Sequence, residues 1–219
     1  MRPPGLAADL VRCCRGLWEA GLIAGADGNL SVRYAPDRVL VTPRGLLKAE
    51  LGPADVVEVD LQGRRLDGCR QATSELDLHL RVYRRRPDCG AVVHAHPPSA
   101  TAFAVAGEAI PEDVLPEITL LMGRVPLVPY ATTGTPELGD AVEPFLAGHD
   151  ALLLANHGAL TWGADLAQAR VRMESLEHGA RILLAARGLG RVNRLTREQT
   201  DALQRLRGSS RHGQTDLGS

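Results

Sequence analysis

Leu6, Leu10, Val11, Cys14, Leu17 and Trp18 recur at the spacing of one helix face and stop at Gly21, which predicts an amphipathic first helix with a glycine at its C-terminal end. After the glycine-rich turn Gly25-Ala26-Asp27-Gly28-Asn29 the period changes. Leu30-Ser31-Val32-Arg33-Tyr34 alternates apolar and polar, the pattern of a half-buried strand, and Val39-Leu40-Val41-Thr42 returns after the turn Pro36-Asp37. Pro43-Arg44-Gly45 breaks that strand, and Val56-Val57-Glu58-Val59-Asp60 supplies another, closed by Gln62-Gly63. Thr73 or Ser74 is placed to cap a helix whose buried stripe is Leu76, Leu80 and Tyr83. A further strand, Ala91 to His96, stops at Pro97-Pro98, and a short apolar helix follows through Thr101–Val105. Val125–Val128 reads as a strand leading into Tyr130-Ala131-Thr132-Thr133-Gly134, Pro136 to Leu146 as a helix, and Ala151–Ala155 as a strand that delivers Asn156-His157-Gly158. A long helix spans about Asp165 to Ala186 and a last one about Thr196 to Arg207.

Strands and helices alternate irregularly, and several strands come as turn-linked neighbours. That pattern predicts an α/β fold with a mixed or antiparallel sheet covered by helices, not a purely parallel doubly wound one. At 219 residues the chain suits a single domain, placed at residues 1–207, with the polar Gly/Ser-rich stretch 208–219 expected to be a disordered tail. No glycine-rich phosphate loop of the dinucleotide or Walker type follows a strand, so those nucleotide sites have no support.

Charge narrows the partners. Lys+Arg number 25 against 26 Asp+Glu, so no basic face announces nucleic acid. Arg84-Arg85-Arg86 is the one dense basic run, and its place at a helix end predicts a solvated terminus complementing the dipole. No apolar stretch approaches the length of a bilayer span, and the start Met1-Arg2-Pro3-Pro4 lacks an apolar signal core. Cys13, Cys14, Cys69 and Cys89 show no metal or redox spacing, so reduced thiols in a cytoplasmic protein are expected.

The chemistry concentrates at strand ends. Side chains alternate along a strand, so His94 and His96 leave the same face at the same end and can offer two neutral nitrogens to one metal ion. His157 ends another strand, and Gly158 permits close backbone approach. Glu75, at a helix start, is a carboxylate available for proton transfer beside an open metal position, or else an acidic residue complementing the helix dipole. Ser74 is either a simple cap or part of an anion site at the helix N-terminus, to which Gly28, Asn29 and Gly45 could add donors. Taken singly, a histidine is ordinarily a hydrogen-bonded surface or core residue; His79, His149, His178 and His212 are placed in that class, His79 on solvated helix surface.

Together these residues form a resemblance. Asp27-Gly28-Asn29-Leu30-Ser31-Val32-Arg33, Thr42-Pro43-Arg44-Gly45, Thr73-Ser74-Glu75, Arg86-Pro87-Asp88, Val92-Val93-His94-Ala95-His96-Pro97 and Asn156-His157-Gly158 occur in the order seen in the class II aldolase/adducin family, over about Leu6 to Leu184. Within it the chain most resembles the fuculose-phosphate aldolase branch. The resemblance implies a three-layer α/β/α sandwich with a largely antiparallel central sheet, assembled as a homotetramer with active sites between subunits. It implies a divalent metal on His94, His96 and His157, zinc first and manganese or cobalt as alternatives, with Glu75 as the acid/base. Asn29, Gly45, Thr73 and Ser74 match the phosphate pocket, with Arg44 where the branch has a small hydroxyl residue. The tyrosines that assist proton transfer in that branch have no counterpart: Val114-Leu115-Pro116-Glu117-Ile118 holds none, and none follows Tyr130.

The activity so implied is retro-aldol cleavage of a small phosphorylated ketose to dihydroxyacetone phosphate and an aldehyde through an enediolate. A sugar-phosphate epimerase, dehydratase or decarboxylase on the same site is the second expectation. A non-catalytic adducin-like module, which would lack the three histidines, is the third.

Overall fold

A computed structural model describes residues 2–212. In chain order its regular elements are α1 (Leu6–Glu19), β1 (Asn29–Ala35), β2 (Arg38–Val41), β3 (Val57–Val59), β4 (Arg65–Asp67), α2 (Leu76–Arg85), β5 (Ala91–Ala95), α3 (Pro98–Val105), α4 (Pro116–Leu121), β6 (Leu127–Val128), α5 (Pro136–Val142), β7 (Ala151–Leu154), β8 (Gly158–Gly163), α6 (Leu166–Gly188) and α7 (Arg197–His212). The strands form one sheet of 8 in the order β4-β3-β2-β1-β5-β8-β7-β6. Every pairing is antiparallel except β6 with β7.

Alternation along the strands sorts the core into two layers. Leu30, Val32, Ala91, Val93 and Ala159 pack with Leu10 and Leu17 of α1, Phe103 of α3 and Met173 and Leu176 of α6. Val39, Val41, Val92, Leu160 and Trp162 face the other way, onto Leu78 and Val82 of α2 and Leu138 and Val142 of α5. The result is the expected three-layer α/β/α sandwich with a mixed, largely antiparallel sheet. Helix α6 shows why such a layer forms: Asp165 caps it by accepting from the Gln168 N–H at 2.8 Å, and Ala169, Met173, Leu176, Ala180 and Leu183 make one buried stripe.

Several boundaries depart from the sequence reading for local reasons. The helix predicted from Pro136 to Leu146 ends at Val142, because Pro144 has no N–H to continue it, and a 3-10 turn Glu143–Phe145 follows. Pro98 does more than stop β5: it occupies the first turn of α3, where a missing N–H costs nothing. Strands β4 and β8 and helix α4 carry too weak a periodicity to be read from the chain. Helix α7 runs on to His212 instead of ending at Arg207, while the rest of the expected tail, residues 213–219, lies outside the described residues. No described helix is long and apolar enough to cross a membrane.

Two sequence readings are corrected outright. Arg86 is no solvated helix terminus: its guanidinium donates to the His149 and Leu146 carbonyls at 2.7 and 3.2 Å and to Asp150 at 3.1 Å. His79 is fully buried rather than on solvated surface. Both faces of the sheet are covered by helices, so the strand read as half-buried has its polar side under α2, where Ser31 meets His79 and Tyr83.

Candidate active site

Three imidazoles meet at the end of β5. Asn29 of β1 is in register with His94, and Ala159 of β8 with Ala95, so β5 is flanked on both sides up to its last residues. His94 and His96 leave its α2-facing side as the strand period requires. The β7–β8 turn brings His157 to them: Asn156 takes the left-handed conformation there (φ 54°), which an asparagine tolerates better than most residues. Ring centroids lie 5.0 Å apart for His94 and His96, 4.6 Å for His94 and His157 and 5.1 Å for His96 and His157. One nitrogen from each ring falls within 4.8 Å of the others.

Close approach here depends on two glycines. A Cβ on Gly28 (φ 67°) would meet the His94 carbonyl at 2.9 Å, and one on Gly158 would meet both the Ala95 carbonyl and His96 Cδ2 at 2.6 Å. Gly158→Ala is therefore expected to push the His96 ring away and destabilise the fold by about 1–3 kcal/mol, the usual cost of forcing atoms into a packed site. Chemical denaturation would measure it; an unchanged midpoint would show that the turn relaxes freely.

Glu75 points into the same cluster. Its Oε2 lies 3.1 Å from His94 Nε2 and its Oε1 3.3 Å from His157 Nε2. It stands just before α2 as the helix N-cap residue, one position after the predicted caps, with its N–H donated to Thr73 Oγ1 at 3.3 Å. Burial alone would raise its carboxyl pKa, but His94, the Asn29 amide and His157 outweigh that and hold it below the ordinary carboxylate range. Burial, followed by His94, pushes the His157 imidazole down to about 4 and lowers that of His96, so both are neutral near pH 7.

The donor set suits a divalent cation. His94 Nδ1 sits 2.9 Å from the Ala159 carbonyl, which can only accept, so Nδ1 carries a proton and Nε2 is the nitrogen that faces the cluster. That Nε2 is met by His96 Nε2 at 3.2 Å as well as by Glu75, and Glu75 Oε1 is buried without a hydrogen bond. Three imidazole nitrogens and a carboxylate meet at one point, and three imidazoles with one carboxylate to spare are the ligand chemistry of an open, catalytic metal position.

A cavity of about 450 Å³ opens from this cluster. Asn29, Arg44, Gly45, Thr73 and Ser74 all line it, as do Glu75, His96 and His157; His94 lies behind them, fully buried. The cavity is also lined by residues that sequence reasoning missed, Lys48 and the Thr133-Gly134 turn. Lys48 is 2% exposed and donates to the Ala26 and Leu46 carbonyls at 2.8 and 3.3 Å, tying the two glycine turns together. Its sequence signal is a lysine three residues after Gly45, just past a turn that offers anion donors.

The model of the Class II Aldolase and Adducin N-terminal domain matches residues 8–184. The chain belongs to this family. An L-fuculose phosphate aldolase of Methanococcus vannielii is 33% identical over 174 residues, 80% of this chain and 93% of that one. A 3-oxo-tetronate 4-phosphate decarboxylase of Haemophilus influenzae is 32% identical over 183 residues, 82% and 87% of the two chains. Among solved structures, an L-fuculose 1-phosphate aldolase superposes with a TM-score of 0.88 at 32% identity, covering 94% of this class II aldolase family chain and 97% of its own. Relatives of similar identity thus carry different reactions, so the shared fold does not by itself decide the reaction.

Proposed function

We propose that the chain is a metal-dependent lyase that cleaves a phosphorylated ketose to dihydroxyacetone phosphate and an aldehyde. The convergence of His94, His96, His157 and Glu75 on one end of the cavity carries this reading. A divalent ion held by the three histidines, zinc or alternatively manganese or cobalt, would supply the positive charge that stabilises the developing enediolate by several kcal/mol. Glu75, ionised and partly desolvated, moves the proton to or from the carbon next to the carbonyl, a role worth about 10²–10⁴-fold in rate. In the same cavity Asn29, Arg44, Gly45, Thr73 and Ser74 take the phosphate and fix the reacting carbon against Glu75. The homotetramer with sites between subunits and the cytoplasmic location belong to the same proposal and rest on the family.

A decarboxylase is the second reading, and the cavity's cations favour it specifically. Arg44 and Lys48 both line the cavity, Lys48 with its ammonium held by the Ala26 and Leu46 carbonyls. Two cations suit a substrate carrying a carboxylate as well as a phosphate. Loss of CO2 from a 2-hydroxy-3-oxo acid also leaves an enediolate awaiting a proton, so Glu75 serves either reaction.

The deciding experiment incubates the metal-loaded protein with ketose 1-phosphates and with a 3-oxo-tetronate 4-phosphate, following three-carbon product and CO2. Release of dihydroxyacetone phosphate together with an aldehyde from a ketose 1-phosphate is expected. Turnover of the 3-oxo-tetronate 4-phosphate alone, with CO2 and dihydroxyacetone phosphate in equal amounts, would replace the aldolase reading by the decarboxylase one, and no turnover of either class would defeat both.

A further inference from the structure

Helix α2 and strand β1 face each other with polar stripes of which the chemistry above uses only Glu75 and Asn29. Glu75, His79 and Tyr83 stand four residues apart along the helix side, and Asn29, Ser31 and Arg33 two apart along the strand. A helix advances about 6.0 Å in four residues and a strand about 6.7 Å in two, so the stripes stay in register. Asn29 Nδ2 donates to Glu75 Oε2 at 2.9 Å, Asn29 Oδ1 lies 2.5 Å from His79 Nε2, Ser31 Oγ lies 2.7 Å from His79 Nδ1, and Tyr83 Oη lies 2.8 Å from Ser31 Oγ. Arg33 closes the row against the Tyr83 ring at 5.2 Å.

The proton positions follow from the donor inventory. The amide NH2 of Asn29 is the only part of that side chain able to donate to a carboxylate, so its oxygen is turned to His79 and must accept. His79 therefore carries its hydrogen on Nε2. The ring is entirely buried, and burial followed by His94 pushes its pKa down to about 3, so it is neutral. Its Nδ1 then accepts from the Ser31 hydroxyl, whose oxygen accepts from Tyr83. Every donor in the row points toward Glu75.

We propose that His79 is a positioning residue for Glu75: by accepting only one orientation of the Asn29 amide, it keeps an N–H on Oε2 and leaves Oε1 as the oxygen that exchanges protons. Oε1 is the carboxylate oxygen without a hydrogen bond. Four polar side chains beneath a helix carry a desolvation cost that an apolar stripe would avoid, and orientation of this carboxylate is what the row achieves. The kinetic half of this inference rests on the proposed role of Glu75; the hydrogen-bond half does not.

Two variants of the full chain separate the roles. His79→Gln keeps an N–H donor near the Nε2 position, whereas the shorter His79→Asn ends near Nδ1 and cannot reach Asn29. Long-range 15N NMR of the wild-type imidazoles should find His79 as the neutral Nε2–H tautomer at neutral pH. The Asn29 side-chain amide should keep its carboxylate-bonded shift in His79→Gln and lose it in His79→Asn. With a turned-over substrate, His79→Asn is expected to lower kcat by about 10-fold or more, the usual scale for a residue behind a catalytic group, with KM nearly unchanged and most of kcat regained in His79→Gln. An Nδ1–H tautomer or an imidazolium would overturn the proposal, as would equal impairment of the two variants, which marks a purely structural residue. If His79→Asn does not fold, the wild-type tautomer and the His79→Gln amide shift decide it. If no substrate is turned over, the lyase reading fails and the NMR arms still judge the orientation of Glu75.

Discussion

Glu75→Gln is expected to lower turnover by about 10²–10⁴-fold while leaving the fold and the binding of a divalent ion in place. The substitution preserves the shape of the side chain, and its amide oxygen can still accept from Asn29, 2.9 Å away in the parent. What it removes is a group that takes and returns a proton. Since neighbouring imidazoles and the Asn29 amide hold the parent carboxyl below its ordinary range, Glu75 enters the reaction as a base, and an amide has no comparable basicity. The ion should be retained because His94, His96 and His157 supply nitrogens that lie close together independently of Glu75. Kinetics, metal content and thermal unfolding of one preparation would check all three statements. Full turnover would remove Glu75 from the chemistry, and loss of the ion would make it a ligand instead of a proton carrier.

The chain announced its histidine cluster because two local rules coincide: a strand puts alternate residues on one face, and prolines mark where that strand ends. Glu75, Asn29, Gly45, Thr73 and Ser74 were legible through order along the chain, and the fold draws them to one cavity. What could not be read was anything decided by the second helical layer. Leu30-Ser31-Val32-Arg33-Tyr34 looked half-buried because alternation signals a polar face, and nothing local tells whether that face meets water or a helix carrying matching polar groups. His79 was misplaced for the same reason, and Arg86 because its partner Asp150 lies 64 positions away. Long-range polar pairing leaves no period in a sequence. Lys48 was hidden differently, as a single cation in a loop, where burial depends on how two turns pack together.

Asp150→Ala is expected to be the most destabilising single change outside the apolar core. The carboxylate is fully buried and accepts from Arg86 Nη2 at 3.1 Å, Arg172 Nη2 at 3.0 Å and Arg207 Nη2 at 2.7 Å. These guanidiniums arrive from just past α2, from α6 and from α7, so one anion ties three helices to the start of β7. Their crowding is visible in the charges themselves: burial, then Arg207 and Arg86, push Arg172 down to about 10, and burial, then Arg86, lowers Arg207. Removing the carboxylate leaves like charges facing one another out of water, at a cost of about 3–5 kcal/mol. For a chain of this size that lowers Tm by about 6–20 °C, measurable by calorimetry. Asp150→Asn, which keeps acceptor geometry without the charge, should fall between. The catalytic cluster should survive at low temperature, because Asp150 and His157 flank opposite ends of β7, whose four residues span about 13 Å. Ion affinity in the variant should therefore match the parent while Tm falls. A Tm loss below about 2 °C would mean that the guanidiniums find water or other acceptors, and a parallel loss of ion affinity would mean that the two ends of β7 are coupled.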